Sequence, residues 1–244
     1  LDKEGMLVDG FEEQNLFITI YNYPYYVRQM ERLGFAKSVD WVEYQVTVPE
    51  QMPERLDRLA EVVLKRNHLK VFDWHSKKEL RPKIKGIFQL INEAYGGLYG
   101  VVELEEHEID HYVDQYLPLV QHDLVSIVLD EEDKVCAFGL LMPSLGPAVK
   151  KADGKLFPFG WVHLLKGLKN YEVLDMYLVA VRPSLQNHGV NAIVLHEILK
   201  NAYKHGVKFA ETGPQLEMNE KIQMMFKSFD RRQHRRRRCW IKSI

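Results

Sequence analysis

Cysteine is scarce in this chain. Its two cysteines, Cys136 and Cys239, lie far apart and outside any CxxC spacing. A disulfide framework and a cysteine-based zinc site are therefore not expected, and a reducing cytoplasm is the default compartment. The ten histidines are scattered without HExxH or comparable spacing, so no metal is expected. No apolar run approaches the roughly eighteen residues that a membrane-crossing helix requires. The chain opens on Leu1 and then on acidic residues, unlike a secretory signal peptide, and the missing initiator Met leads us to expect a fragment.

What is present is an ordinary globular composition. With 46% hydrophobic and 27% charged residues over 244 positions, the chain can bury the core of one large domain or up to two smaller ones. Its net charge of −1 hides an imbalance. Residues 231–242 hold six Arg and one Lys without an acid, and the rest of the chain then carries 26 basic against 34 acidic residues, a net −8. A basic tail follows an acidic body.

The patterning gives an order of elements. Residues 8–11 and 17–20 are short apolar runs expected as strands. Tyr26, Val27, Met30 and Leu33 fall at helical spacing, Gly34 ends that helix, and 39–48 alternates as a strand. Pro53 suits the first turn of a helix reaching about Arg66. Beyond His68 the pattern restarts with a strand over 69–74 and a helix capped by Ser76 that runs to Tyr95. A second helix follows over 107–119, and 124–129 with 135–142 form a hairpin around the acidic turn 130–133. Residues 143–170 read as a long loop with one short helix over 161–168. Then come a strand (172–181), a helix (185–205), a strand (207–211), a helix (219–229) and a last strand (239–244). Such alternation predicts an α/β fold, with a partly parallel mixed sheet and helices packed on it.

One stretch carries chemistry. The apolar strand ending at Val181 meets a Pro183-Ser184 turn, and Gln186 to Ala192 opens a long amphipathic helix. A helix start has unpaired N–H groups and partial positive charge, and Gly189 lets backbone approach a ligand, so the segment is suited to a diphosphate. An ordinary strand–turn–helix would read the same way. On the preceding strand, alternation places Asp175, Tyr177, Val179 and Val181 on one face. A carboxylate there is costly to bury without a partner, and desolvation would raise its pKa toward that of a useful base. Equally, Asp175 would serve simply to pair with a basic group or cap a loop.

Gln186-Asn187-His188-Gly189-Val190-Asn191 resembles the Gln/Arg-x-x-Gly-x-Gly/Ala loop of the GNAT acyl-CoA N-acyltransferases. The resemblance covers most of the chain and is best over 172–230. It implies a GNAT-like fold, a central mixed sheet flanked by helices, with acetyl-CoA or another acyl-CoA as co-substrate. Amides of Gln186, Asn187, His188, Gly189, Val190, Asn191 and Ala192 would hold the pyrophosphate, and the backbone of Val179 and Val181 would pair with the pantetheine arm. Asn219, which opens the next helix, would also touch the cofactor. Asn191 departs from the Gly/Ala of the family's sixth position, with small Ala192 beside it.

Asp175, eleven residues before Gln186, stands where several members place their catalytic carboxylate; Glu172 and Glu211 are weaker alternatives. The family's thiol-protonating Tyr is replaced by Phe226. The thiolate then leaves unassisted, Tyr177 serves instead, or catalysis is lost. The segment 22–35 resembles the last helix and strand of another GNAT domain, with Met30 at the Tyr position. The implied organisation is tandem: 1–48 as the end of a first GNAT-like domain, 49–67 as a connecting helix and 68–244 as the acyltransferase domain.

The leading expectation is a cytoplasmic enzyme that moves an acyl group from acyl-CoA to a primary amine of a small molecule or peptide, an acidic acceptor being favoured if the arginines face it. The second is an acyl-CoA-binding or regulatory protein without catalysis, in line with Phe226, Met30 and Asn191. The third is association with membrane or nucleic acid through Arg231, Arg232 and Arg235–Arg238. Trp240 is the one aromatic interleaved there, so little else points to nucleic acid or membrane. A solvated strand end is the plainest reading of that run.

Overall fold

The computed structural model describes residues 5–243. Two compact units, each discontinuous in sequence, make up the chain. The first combines the residues up to Val48 with Pro143–Asp175 and everything from Gly206 onward; the second combines Pro49–Met142 with Met176–His205. Nine strands and eight α-helices are present among the described residues, and the class is α/β, a mixed sheet flanked by helices.

In the first unit the strands β1 (Met6–Asp9), β9 (Arg231–Ile241), β2 (Ala36–Thr47) and β7 (Phe209–Thr212) lie side by side in that order, followed by the start of β6 (Val173–Val181). A short β8 (Gln215–Leu216) pairs with the other part of β2. The β2–β9 ladder is long and antiparallel, with Asp40 opposite Arg238 and Glu43 opposite Arg235. Residues 39–44 are buried without interruption, the mark of a strand covered on both faces. The helices are α1 (Tyr25–Arg32), α5 (Gly146–Lys151), α6 (Gly160–Gly167) and α8 (Glu220–Met225).

In the second unit the rest of β6 is followed by β5 (Val135–Pro143), β4 (Val125–Leu129) and β3 (Lys70–Val71). Its helices are α2 (Glu54–Arg66), α3 (Lys77–Tyr95), α4 (Glu106–Tyr116) and α7 (Val190–His205). Every residue of β4 is buried because the strand has a core on each face. Trp74, Leu80, Ile84 and Leu90 pack with Ile127 and Phe138 on one. Ala60, Val63, Ile193 and Val194 pack with Val128 and Ala137 on the other. Helix α7 sits so close to β5 that a Cβ on Gly139 would lie 2.8 Å from Val194. Ser76 caps α3 as expected, its Oγ accepting from the Glu79 N–H at 3.3 Å while Glu79 accepts from the His75 N–H at 3.1 Å.

Several expectations are corrected. Residues 17–20 form no strand: the Thr19 N–H donates to the Leu16 carbonyl, turning the chain, and Phe17 and Ile20 are exposed. Helix α5 occupies part of what reads as loop. Helix α7 starts at Val190 rather than 185, because Asn187 (φ +65°) and Gly189 (φ +82°) are left-handed. The largest change is β9. It begins eight residues before the expected strand at 239, so the arginine run is a central strand and not a tail. The expected terminal residue, Ile244, lies outside the described residues. Residues 1–48 supply β1, α1 and β2 to the same unit as β7, β8, α8 and β9.

Candidate functional site

The turn after β6 is built locally. Arg182 donates to Asp130 at 2.8 Å and to the Val135 carbonyl at 2.9 Å, which fixes the end of the strand. A short 3-10 turn spans Pro183–Leu185. The Gln186 N–H then donates back to the Arg182 carbonyl at 3.1 Å, and its side-chain Nε2 to the Val181 carbonyl at 3.2 Å. The positive φ at 189 favours glycine, and an added Cβ would also press on Val63 of α2 at 3.0 Å. Val190 and Ala192 point into the core, so only their backbone can serve a ligand; Asn191 is half-buried.

Beside this turn lies an open cavity of about 440 Å³, lined by Leu59, Arg66, Asn67, Asn187, His188 and Gly189. Three of the expected cofactor residues therefore share one cavity wall, and Arg66 adds a cation that no local motif announced. A guanidinium and a helix N-terminus at one opening suit an anionic group such as a phosphate.

The groups expected to pair with a pantetheine arm are already engaged. The Tyr95 hydroxyl, at the end of α3, donates to the Val179 carbonyl at 2.8 Å and accepts from the Val179 N–H at 3.3 Å. Burial pushes the Tyr95 phenol up to about 12, so it stays protonated and can play both parts. Tyr95 was not foreseen. It lies 84 residues before Val179.

Asp175 sits in the first unit, in the opening part of β6. It is 1% exposed, and neither carboxylate oxygen is in a well-formed hydrogen bond, although the Ser144 side chain is near enough to favour the charged form. Desolvation raises its pKa from 3.8 to about 7; the nearby carboxylates Glu211 and Glu43 add to the rise, while Ser144 and Arg235 oppose it. Of the two alternatives, Glu172 is exposed and paired with Lys208 at 2.8 Å. Glu211 is buried but committed, 2.7 Å from His234 Nε2 and accepting from Gln45 at 2.8 Å. Despite desolvation, those partners hold its carboxyl below the usual range.

The other expected residues are placed as follows. Tyr177 is half-buried on β6. Asn219 caps α8, its Oδ1 accepting from the Ile222 N–H at 3.4 Å. Phe226 is buried in the first unit. The arginine run is not solvated in the way its composition suggests. Arg235 and Arg237, both fully buried, donate through Nε to the two oxygens of buried Glu43 at 2.6 Å each. Arg236 and Arg238 donate to Asp40 at 2.9 and 2.8 Å, and Arg232 pairs with Glu13.

Among the described residues, Asp73, His75 and His122 bring three possible metal ligands within 4.8 Å of one another at the surface. Each histidine places a ring nitrogen near Asp73, at 3.7 and 3.4 Å. No helix among the described residues is long and apolar enough to cross a membrane.

No protein-family model matches the chain. It is 24% identical over 249 residues to protein YghO of Escherichia coli K12, covering 99% of this chain and 63% of that one. It is 24% identical over 176 residues to the bacterial ceramide synthase of Caulobacter vibrioides, covering 69% of this chain and 43% of the relative. The chain thus spans less than two thirds of either curated relative. Among solved structures, a GCN5-related N-acetyltransferase from Sphaerobacter thermophilus aligns over 87% of this chain and 56% of its own, with a TM-score of 0.52 and 12% identity. A tandem GNAT protein from the clavulanic acid biosynthesis pathway aligns over 93% of this chain and 61% of its own, with a TM-score of 0.52 and 10% identity. These likenesses agree with the strand–turn–helix around Gly189 on a single point: the chain has the fold of the GCN5-related N-acetyltransferases.

Proposed function

We propose that this chain transfers an acyl group from an acyl-CoA to a primary amine, in the cytoplasm where acyl-CoA is available. The observation that carries the reading is Asp175: a buried carboxylate with no well-formed hydrogen bond and a pKa of about 7, on the strand that leads into the Gln186–Gly189 turn. Backbone amides of the turn, with Arg66 beside them, would hold the diphosphate, and Val179 would pair with the pantetheine arm once Tyr95 has moved. The acceptor enters as an ammonium. Asp175 takes one proton from it, and the freed amine nitrogen attacks the thioester carbonyl. As the carbon–nitrogen bond forms, the carbon–sulfur bond breaks and CoA leaves as the thiolate. A base with a pKa near neutrality is matched to that proton transfer. Phe226 has no proton to give, so we assign protonation of the thiolate to Tyr177, whose hydroxyl gives its proton to the sulfur and takes back the second proton that the newly formed amide nitrogen must lose.

The likeness to a protein named for ceramide synthesis supports one choice of acceptor. Ceramide is the N-acyl product of a long-chain amino alcohol, so such an amine is the first acceptor to test. Calorimetry with CoA and a thiol-release assay with acyl-CoA and amines of graded chain length test the reading. CoA should bind, and Asp175→Asn should keep that binding while losing about 10²–10⁴ in turnover. In the unsubstituted chain kcat/KM should rise with pH to a plateau above about 7. Absence of CoA binding would sink the reading, and undiminished turnover by the Asn variant would remove Asp175 from it.

Two observations favour a second reading, an acyl-CoA-binding protein without catalysis: Phe226 at the proton donor's place and the Tyr95 hydroxyl on Val179. CoA binding with no thiol release across the amine series would select it.

A further inference from the structure

The segment joining α5 to α6 carries large apolar side chains outward. Leu156, Phe157, Phe159, Trp161 and Leu165 are all exposed, Phe157 at 75% and Phe159 at 70%. The turn is held by its own backbone. The Trp161 N–H donates to the Leu156 carbonyl and its indole Nε1 to the Pro158 carbonyl, both at 3.0 Å. At Gly160 a Cβ would fall 1.7 Å from the Lys155 carbonyl oxygen, so only glycine closes the turn. Helices α5 and α6 pack on each other at its base, where a Cβ on Gly167 would lie 2.9 Å from that of Ala148. The aromatic rings therefore sit on a built turn that presents them to solvent.

Within the segment the charge is mostly positive. Lys150, Lys151, Lys155, Lys166 and Lys169 are exposed, and the single acid of the segment, Asp153, pairs with Lys155 at 3.2 Å. An apolar tip of Phe, Trp and Leu rimmed by lysines has the chemistry of an interfacial anchor. The rings enter the boundary between headgroups and acyl chains, and the lysine stems lie along the apolar surface with their ammonium groups at the phosphates. Two copies of this face brought together would instead oppose lysine to lysine.

We infer that Leu156–Leu165 is a docking surface for an anionic phospholipid bilayer. This inference stands on the exposure and charge of the segment and not on acyl transfer, so either can fail without the other. Of the basic residues concentrated in 231–242, Arg235–Arg238 are turned onto Glu43 and Asp40, and the charge offered to the membrane is that of these lysines.

The test is flotation of the whole chain with phosphatidylcholine vesicles, with and without a minority of phosphatidylglycerol. The unsubstituted chain should float with the anionic vesicles, less so as salt is raised. Phe157→Ser with Phe159→Ser should lower the bound fraction by about tenfold or more. Lys150→Glu with Lys166→Glu should abolish the preference for phosphatidylglycerol. Circular dichroism checks that the variants fold. A second readout is quenching of tryptophan by brominated lipid: Trp161 is exposed, Trp41 and Trp74 are buried and Trp240 is half-buried, so quenching should occur in the unsubstituted chain and be lost in Trp161→Phe. Failure of the unsubstituted chain to float would overturn the proposal, as would equal flotation of the double serine variant. A dimer that the serine variant dissolves, with no vesicle binding, would give the surface to a second copy instead.

Discussion

Glu43 and Asp175 are two carboxylates of one unit, each hidden from solvent, and they differ in what surrounds them. Glu43 receives a short charge-assisted hydrogen bond on each oxygen, from Arg235 and from Arg237. Asp175 receives none on either oxygen. Burial alone therefore does not distinguish a structural charge from a chemical one. What distinguishes them is whether the desolvation penalty is offset by partners held by the fold, or is left to raise the pKa. The first arrangement gives a carboxylate held between two guanidinium groups across the β2–β9 ladder. The second gives one that exchanges a proton near neutral pH.

The sharpest way to break this contrast is Glu43→Gln. Arg237 would lose its countercharge while remaining buried and Arg235 would keep only Glu211 at 3.5 Å; the expected cost is about 3–5 kcal/mol, read as a lowered denaturation midpoint. A loss under about 1 kcal/mol would mean that water or backbone can replace the carboxylate, and that the ladder is not what holds β9 inside.

Asp175→Asn should act in the opposite direction and only at higher pH. The folded-state pKa of about 7 lies above the ordinary 3.8, so the protonated carboxyl contributes its full stability below about pH 4. That contribution is lost as the pH rises from there through about 7, and the total loss is at most on the order of 4 kcal/mol. The Asn variant cannot lose it. The stability difference between the two proteins should thus open in favour of Asn across that window and stay constant above it. A pH-independent difference would mean that Asp175 is paired after all.

A third comparison sets a backbone constraint against these ionic ones. Gly189→Ala forces a side chain onto a left-handed residue 3.0 Å from Val63, which should cost about 1–2 kcal/mol. In denaturant melts this is a smaller effect than at Glu43. In CoA calorimetry it should be the larger one, since Glu43 lies in the ladder and Gly189 at the proposed phosphate turn.

These features were unequally legible. The Gln186–Gly189 turn could be read because its signals are local, a strand, a Pro and a Gly within a dozen or so residues. The cap at Ser76 could be read for the same reason. Asp175 was singled out by its place eleven residues before Gln186, where the GNAT resemblance puts a carboxylate, but its surroundings depend on side chains from β2, β7 and β9. The arginine run misled because charge patterning assumes solvent as the default partner. Its countercharge is supplied from β2, 192 residues earlier for the Arg235–Glu43 pair. The Leu156–Leu165 segment read only as loop and short helix, and the outward direction of its apolar residues was not legible. The two cases share one gap: which face of an element is covered is decided by segments distant in sequence.

Tyr95 offers the smallest and most discriminating perturbation. Its hydroxyl stands in the second unit as a neutral counterpart of the Glu43 ladder, satisfying both backbone groups of Val179 without any charge. Tyr95→Phe removes that satisfaction and should cost about 1 kcal/mol of stability. If a pantetheine arm takes the same two groups, the hydroxyl is its competitor. Removing it should then tighten CoA binding by about fivefold, the same free energy appearing with opposite sign. Stability and affinity would move in opposite directions in one variant, which general damage to the fold does not produce. Should CoA binding weaken together with stability, Tyr95 would be part of the ligand's own contacts, and Val179 would be a fixed rung of the structure, as Glu43 is, and not an open one.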